Sequence, residues 1–521
     1  MRNQEILVSL DIGTTSIKVV VAEYINGNVN IIGVGNEKSR GLSRGVIVDI
    51  DETVYSIQQA IAQAERKANV KINEVVVGVP SNQIMIEDCH GMIAVSGENR
   101  EITSRDVDNV ISAAKVRSVP PEREIISVIP EEFVVDGFNG IKDPRGMIGV
   151  RLELYARLVT GPRTIIHNIR RCVQKAGLTI NELVVQPLAI ASVALSQDER
   201  DFGTVVIDMG GGQSSASIIY DDQLMFSVVD QEGGDFVTKD ISIILNTSLD
   251  SAERIKREYG FAIASQTTDD EYFPVETVGK KEPVRVDEHY LAEIIEARLT
   301  QIFETLYEEL NRVDGLDLPG GYVITGGAAS LPGVLDLAKR YFGGKVRLYI
   351  PEEMGMRNPI YTTSLGMIEY VANLDEVHRI AQGTIANQPP YDQQRPQTVS
   401  SQRPGQRPTS NRRPTSSQTP RTRTQNQGDL LAGQGQSNQD NARVARQERT
   451  STPDNVLSYN PHEEYQQYSA YFEDDYDDEV AYYDDYTGEK EATDYSETIP
   501  QENNGNGFTS KVRNFFQTFF D

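Results

Sequence analysis

The sequence predicts an α/β chain of two lobes that face one another across a cleft, and three observations predict it. One strand–turn–strand device occurs twice, about two hundred residues apart, at residues 6–21 and 204–219. Each copy is an apolar strand ending near an aspartate (Asp11, Asp208), a turn of small and hydroxyl-bearing residues, and a second β-branched strand. The third observation is residues 321–333, a strand running into Gly326, Gly327 and Ala328, with a helix start at 331–338.

The two turns have the chemistry of a phosphate cradle. A polyphosphate needs backbone N–H groups converging on its oxygens, and glycines at 13, 210, 211 and 212 let the main chain turn and approach without a side chain in the way. Thr14, Thr15, Ser16, Ser214 and Ser215 add hydroxyl donors, and Lys18 supplies one positive charge. Asp11 and Asp208 sit where strands end and suit Mg2+ held through its water shell. One such turn alone is as well explained by an ordinary tight turn; two copies are harder to dismiss. The glycine pair permits close approach of a flat group, and the following helix N-terminus favours anionic oxygens.

Along the chain, residues 1–82 read as strands with one helix from Val54 to Asn69, then a strand over 74–80. An insertion follows at about 83–162: a strand at 91–95, a helix at 103–116, and strands at 124–129, 131–135 and 149–159. Ser104 and the acids after it give that helix good capping chemistry. Helical 163–176 returns to the first lobe. Residues 186–195 and 361–368 are rich in small residues, which suits two helices packed closely at a hinge, although small residues pack helices anywhere. On the helix 251–260, Glu253 and Lys256 describe either a ligand contact or a solvated face, and spacing alone favours the face.

In this order, the two turns, the glycine pair and the small-residue helices resemble the actin, Hsp70 and sugar-kinase superfamily. The strand–helix–strand–strand insertion at 83–162 narrows the resemblance to the bacterial cell-division FtsA family and its relative PilM, a type IV pilus assembly protein. It covers about residues 4–380 and implies an actin-like two-lobed ATPase fold with an inserted small α+β (SHS2-type) subdomain. The division it implies is 1–82 with 163–195 and 363–380 as the first lobe, 83–162 as the insert, 196–236 with 312–362 as the second lobe, and 237–311 as its smaller subdomain. Carried over by motif, ATP contacts fall on Asp11, Gly13, Thr14, Thr15, Ser16, Lys18, Gly210, Gly211, Gly212, Gln213, Glu253, Lys256, Gly326, Gly327 and Ala328. Asp11 and Asp208 match the Mg2+ positions. Gln186 matches the residue that orients an attacking water, which with Asp208 implies at most slow hydrolysis.

Composition sets wider limits. A chain of 521 residues exceeds one compact domain. Its net charge of −27 disfavours a general nucleic-acid role, because phosphates are repelled. Two cysteines, Cys89 and Cys172, argue against a disulfide framework and fit a reducing cytoplasm. The five histidines show no zinc-ligand spacing with cysteine. Residues 1–5 lead directly into a strand, so no signal peptide is expected, and no apolar run approaches the ~20 residues needed to cross a bilayer.

Residues 381–506 predict a disordered linker. Residues 381–450 carry ten arginines against four acids and few apolar residues, whereas 463–497 carry fourteen acids, Lys490 as the only base and eight tyrosines. As a flexible coil, this stretch would average roughly 60 Å end to end. The final residues, 507–521, predict an amphipathic helix: Val512, Phe515, Phe516, Phe519 and Phe520 recur at helical spacing, with Lys511 and Arg513 suited to anionic lipid headgroups. This tail resembles the membrane-targeting sequence of the FtsA family and separates the chain from PilM.

The resemblance implies an ATP-binding adaptor that polymerises on the cytoplasmic face of the plasma membrane at the division septum. The implied partners are further copies of the chain through the insert, anionic lipids, the C-terminal peptide of the tubulin-like protein FtsZ at 237–311, and other division proteins. A PilM-like pilus adaptor and a small-molecule kinase are the alternatives. A kinase needs a carboxylate base for a substrate hydroxyl, and no motif identifies one.

Overall fold

β-Branched runs too apolar for a one-sided strand build the first sheet. The computed structural model describes residues 5–386 except 26, 98, 117 and 118; of the disordered linker expected at 381–506, residues 381–386 are instead the end of a helix, and the rest of it and the tail 507–521 lie outside the described residues. The first lobe opens with β1 (Glu5–Ile12), β2 (Ser16–Ile25), β3 (Asn28–Lys38), the short hairpin β4 (Leu42–Ser43) and β5 (Val46–Ile47), α1 (Ile50–Ala68) and β6 (Glu74–Val79). Leu7 to Leu10 and Ile17 to Ala22 are buried. Asp49 caps α1 by accepting from the N–H groups of Asp51 and Glu52, and Asn69 ends it in the left-handed region at φ 53°. The helix lies unusually close to the sheet: a side chain at Gly35 would stand 2.0 Å from the Ala60 carbonyl oxygen.

The insert comprises β7 (Met85–Ala94), α2 (Ser104–Ala114), β8 (Arg123–Val135), β9 (Phe138–Ile141) and β10 (Arg151–Pro162). Its sheet runs in the order β7-β10-β8-β9 with α2 across one face. Two sequence expectations change here. The strands expected at 124–129 and 131–135 are one strand, because Pro130 pairs with Ala156 at a register irregularity where the ladder is already interrupted. The short edge strand β9 was not expected at all.

The chain continues through α3 (Arg163–Lys175), β11 (Thr179–Val185), α4 (Gln186–Ala194) and α5 (Gln197–Phe202) into the second lobe. There β12 (Thr204–Met209), β13 (Ser214–Tyr220) and β14 (Gln223–Asp230) are followed by α6 (Gly234–Leu245), α7 (Leu249–Tyr259), β15 (Tyr272–Val275), β16 (Val284–Asp287) and α8 (Glu288–Arg312). The described chain closes with β17 (Tyr322–Thr325), α9 (Val334–Phe342), β18 (Val346–Leu348), α10 (Thr362–Asn373) and α11 (Glu376–Ala386).

Topology makes the duplication explicit. The two five-stranded sheets run β11-β6-β1-β2-β3 and β14-β13-β12-β17-β18. In each, the aspartate-bearing strand is antiparallel to its hairpin partner and parallel to a later strand, β6 or β17. This is the two-lobed actin-like α/β architecture. The small-residue helices α4 and α10 pack backbone to backbone: a side chain at Gly366 would lie 2.0 Å from the Ala189 carbonyl oxygen, and the Ser192 hydroxyl donates to the carbonyls of both residues.

The segment after residue 362 divides between two cores. Leu365, Met367, Ile368 and Val371 of α10 pack with Leu7 and Val20 of the first sheet. Val377 and Ala381 of α11 join Val107, Phe133 and Leu154 in the core of the insert. Arg145 of the insert pairs with Glu376 at 2.8 Å, and the Arg379 guanidinium donates to the carbonyls of Val371, Ala372 and Leu374 at the end of α10. The last described helix is therefore built into the insert.

Candidate functional site

The antiparallel register of β1 and β2 sets Asp11 opposite Lys18. Lys18 Nζ donates to Asp11 Oδ2 at 3.1 Å, both side chains are buried, and Gln186 Nε2 donates to Asp11 Oδ1 at 3.2 Å. Gln186 is the first residue of α4, so the start of one small-residue helix is tied to the first turn. Asp11 is thus satisfied on both oxygens, which is what allows a carboxylate and an ammonium to lie this deep.

Asp208 occupies the equivalent place on β12, beside Thr325 of β17. Burial and, next, the Asp11 carboxylate push its pKa up to about 6, with Lys18 partly offsetting them. Two facing carboxylates with no larger cluster of His, Cys, Asp and Glu among the described residues suit Mg2+ held through water rather than an all-protein cage. Asp11 is already engaged by Lys18 and Gln186.

The turns themselves meet. Gly210 N–H bonds the Gln213 carbonyl at 2.9 Å, closing the second turn. Side chains at Gly211 and Gly212 would run into Thr15 and Thr14. The Thr15 hydroxyl donates to Asp235 Oδ1 at 3.2 Å, and the N–H groups of Gly234 and Asp235 bond the carbonyls of Gly210 and Gly211. The start of α6 is therefore stitched to both turns. Asp235, whose pKa is raised chiefly by burial, is a site residue that sequence reasoning missed. Its signal was present as Gly233-Gly234-Asp235 after an apolar strand.

The third segment closes the site. Gly326 has φ 96°, and a side chain there would stand 2.4 Å from Asp208 Oδ1 and 2.5 Å from the Met209 carbonyl. Gly327 is freer, with only Ile360 Cγ2 at 3.3 Å from an added Cβ. A Gly326→Val variant should therefore lose nucleotide-dependent stabilisation and lower the melting temperature of the free protein, whereas Gly327→Ala should leave the free protein near its starting stability. Differential scanning fluorimetry with and without Mg-ATP checks both.

Glu253 and Lys256 do not form a solvated face. Lys256 Nζ donates to the Gly234 carbonyl at 2.9 Å and Thr238 Oγ1 at 2.7 Å, and pairs with Glu253 Oε2 at 2.5 Å. A side chain at Gly234 would touch Ala328 at 3.4 Å and Lys256 Nζ at 3.7 Å, so this network lies against the glycine segment. Ser16 begins β2, and its carbonyl accepts from Lys18 at 3.4 Å. These contacts join Asp11, Lys18 and Gln186 to one another and the two turns to the start of α6, with Gly326 against Asp208 and with Ala328 and the Glu253–Lys256 network beside Gly234. The expected membrane residues 511–520 lie outside the described residues.

Two family models and several relatives match the chain. Residues 205–366 match the family model "Cell division protein FtsA", and residues 81–160 match "SHS2 domain inserted in FTSA". The cell division protein FtsA of Enterococcus hirae is 58% identical over 73% of this chain and 86% of its own length. That of Bacillus subtilis (strain 168) is 46% identical over 71% of this chain and 84% of its own. Among solved structures, the PilM-PilN type IV pilus biogenesis complex is similar over 71% of this chain and 99% of that chain, at 15% identity and a TM-score of 0.49.

Proposed function

Since the chain belongs to the FtsA family of cell division proteins, we propose that it is the nucleotide-dependent membrane adaptor of the division ring. It binds Mg-ATP between the lobes, polymerises on the cytoplasmic face of the membrane, tethers FtsZ filaments through their C-terminal peptide and recruits later division proteins. The observation that carries the nucleotide part is the convergence of Asp11, Lys18, Gln186, Asp208 and Gly326 on one pair of touching turns.

In this reading, the backbone N–H groups of the turns and the hydroxyls of Thr14 and Thr15 bind phosphate. Asp208 orients the water shell of Mg2+, which when bound neutralises phosphate charge. Gly326–Ala328 and the Glu253–Lys256 network border the nucleoside. Gln186, held through Nε2 by Asp11, keeps its carbonyl oxygen as an acceptor that can orient a water, which suits slow hydrolysis.

The insert supplies the contact between copies. Deleting 83–162 would uncover Val377 and Ala381, so a gentler test keeps the chain whole. Phe138 and Ile148 are 75% and 73% exposed on the insert, and exchanging both for glutamate should abolish ATP-dependent pelleting. Their mutant should keep the melting shift given by Mg-ATP, a stabilisation of about 2.7 kcal/mol at a hundredfold excess over Kd. No shift in the parent protein would sink the nucleotide reading; undiminished pelleting of the mutant would sink the insert contact.

A further inference from the structure

One buried acid outside the cleft stands without a partner. Glu182 lies on β11, directly after a register irregularity in its pairing with β6, and is only 9% exposed. Its Oε1 is buried and accepts no hydrogen bond. An isolated carboxylate is costly to bury, so such a group either keeps its proton or takes a cation. Burial pushes the Glu182 carboxyl up to about 7, and the charge of Arg379 offsets this only in part. Arg379, on α11, is spent elsewhere. Its Nε donates to the Leu374 carbonyl at 3.0 Å, and its Nη2 to those of Val371 and Ala372 at 3.2 and 3.3 Å. A buried acid and the cation that acts on it thus face one another with the ion pair unmade.

The elements packed around Glu182 offer it no other cation. α10 brings Tyr370, whose hydroxyl is held above its ordinary range by burial first and then by Glu182 and Asp222. α11 also brings His378, bonded to Asp375 at 2.8 Å and acting on Asp222 of the β13–β14 turn. Asp222 pairs with Arg200 at 3.1 Å. Arg170 of α3 and Glu124 of β8 are paired with each other at 3.3 Å, Glu74 is exposed at the start of β6, and α4 carries no charged residue.

This cluster sits where two cores are joined. α10 packs on the first sheet and α11 in the insert, with only Leu374 and Asp375 between the two helices. We propose that Glu182 and Arg379 form a toggle that sets how the insert is seated on the first lobe. In the arrangement described, Glu182 is protonated and Arg379 caps the last carbonyls of α10. In the second, Glu182 is ionised and Arg379 leaves those carbonyls to pair with it, carrying α11 and the insert along. A carboxylate–guanidinium pair is charge-assisted, which offsets the loss of bonds to neutral carbonyls. A raised carboxyl favours its protonated arrangement below its pKa, so the described seating dominates in acid and the second gains as pH rises through about 7.

The test uses the full chain with spin labels at Gln59→Cys on α1 and Asn109→Cys on α2, both exposed positions, while the native cysteines are buried. Double electron–electron resonance then reads the separation of lobe and insert at pH ~5.5 and ~8.5, on either side of the titration. The parent should show one distance in acid and a second in base, the second at least threefold more populated there. Glu182→Gln, uncharged throughout, should hold the first distance at both pH values. Glu182→Leu, which needs no hydrogen bond, should do the same and carries the test if the amide variant does not fold. A merely structural buried acid would make the melting temperature depend on pH and leave one distance. A parent whose distances do not change with pH, or a second distance that survives in these variants, would overturn the toggle.

Discussion

Asp208→Asn should abolish the stabilisation given by Mg-ATP and yet make the nucleotide-free protein more stable at neutral pH. The carboxyl is raised from 3.8 to about 6 by burial first and by the Asp11 charge second. A raised carboxyl binds its proton more tightly in the folded chain than in the unfolded one. Its stabilising contribution is therefore complete below pH ~4 and is lost as pH rises through 6. At pH 7.5 the group is charged in a place that disfavours charge, and asparagine removes that cost, on the order of 1–3 kcal/mol. At pH 4 the two proteins should melt together.

The same titration has the opposite effect on ligand. A protonated Asp208 cannot orient the ion's water shell, so the ATP-induced melting shift should grow between pH 5 and 7 in the parent and stay near zero in the variant. Melting curves with and without Mg-ATP across that range contain both signs. A variant that is less stable than the parent at pH 7.5, or that still responds to ATP, would remove Asp208 from the role assigned to it.

Much of this site was legible because hairpins translate sequence directly into space. Residues 11 and 18 face one another once the turn is placed, so the acid and base of the first turn could be read as neighbours. What spacing could not show was that Lys18 is spent on Asp11, or that Gln186, 175 positions away, takes the other oxygen. Glu253 and Lys256 looked like solvent-facing charges because the sequence does not reveal that the Gly234 carbonyl and Thr238 close over them.

The glycine pair illustrates the limit more finely. Sequence marks both Gly326 and Gly327 as permissive, yet only Gly326 adopts a left-handed backbone against Asp208. The place of α11 was also hidden, since its apolar stripe fits either core and only the fold decides between them.

That placement bears on the largest expected effect, the release of the protein from membranes by Phe516→Glu with Phe519→Glu. In the reading proposed here, the tail from 507 to 521 binds lipid through one apolar stripe, and a helix this short is marginal in water until lipid supplies an apolar surface. Each deeply buried phenylalanine contributes up to roughly 1.5–3 kcal/mol, less at an interface, and part of that is consumed in ordering the helix. One tail should bind weakly and reversibly. The described residues end with α11, which is packed in the insert, the part proposed to join copies. Tethers in a polymer would then leave from beside the subunit contacts, and neighbouring tails would reach lipid together and act as one firm anchor. Two glutamates in the stripe should abolish co-sedimentation with anionic liposomes while leaving the ATP-induced melting shift unchanged. The Phe138 and Ile148 variant, intact in its tail but unable to polymerise, should pellet with liposomes far less than the parent. Equal pelleting of parent and tail variant would mean that the phenylalanine stripe does not reach lipid, and equal pelleting of parent and insert variant would mean that one tail suffices.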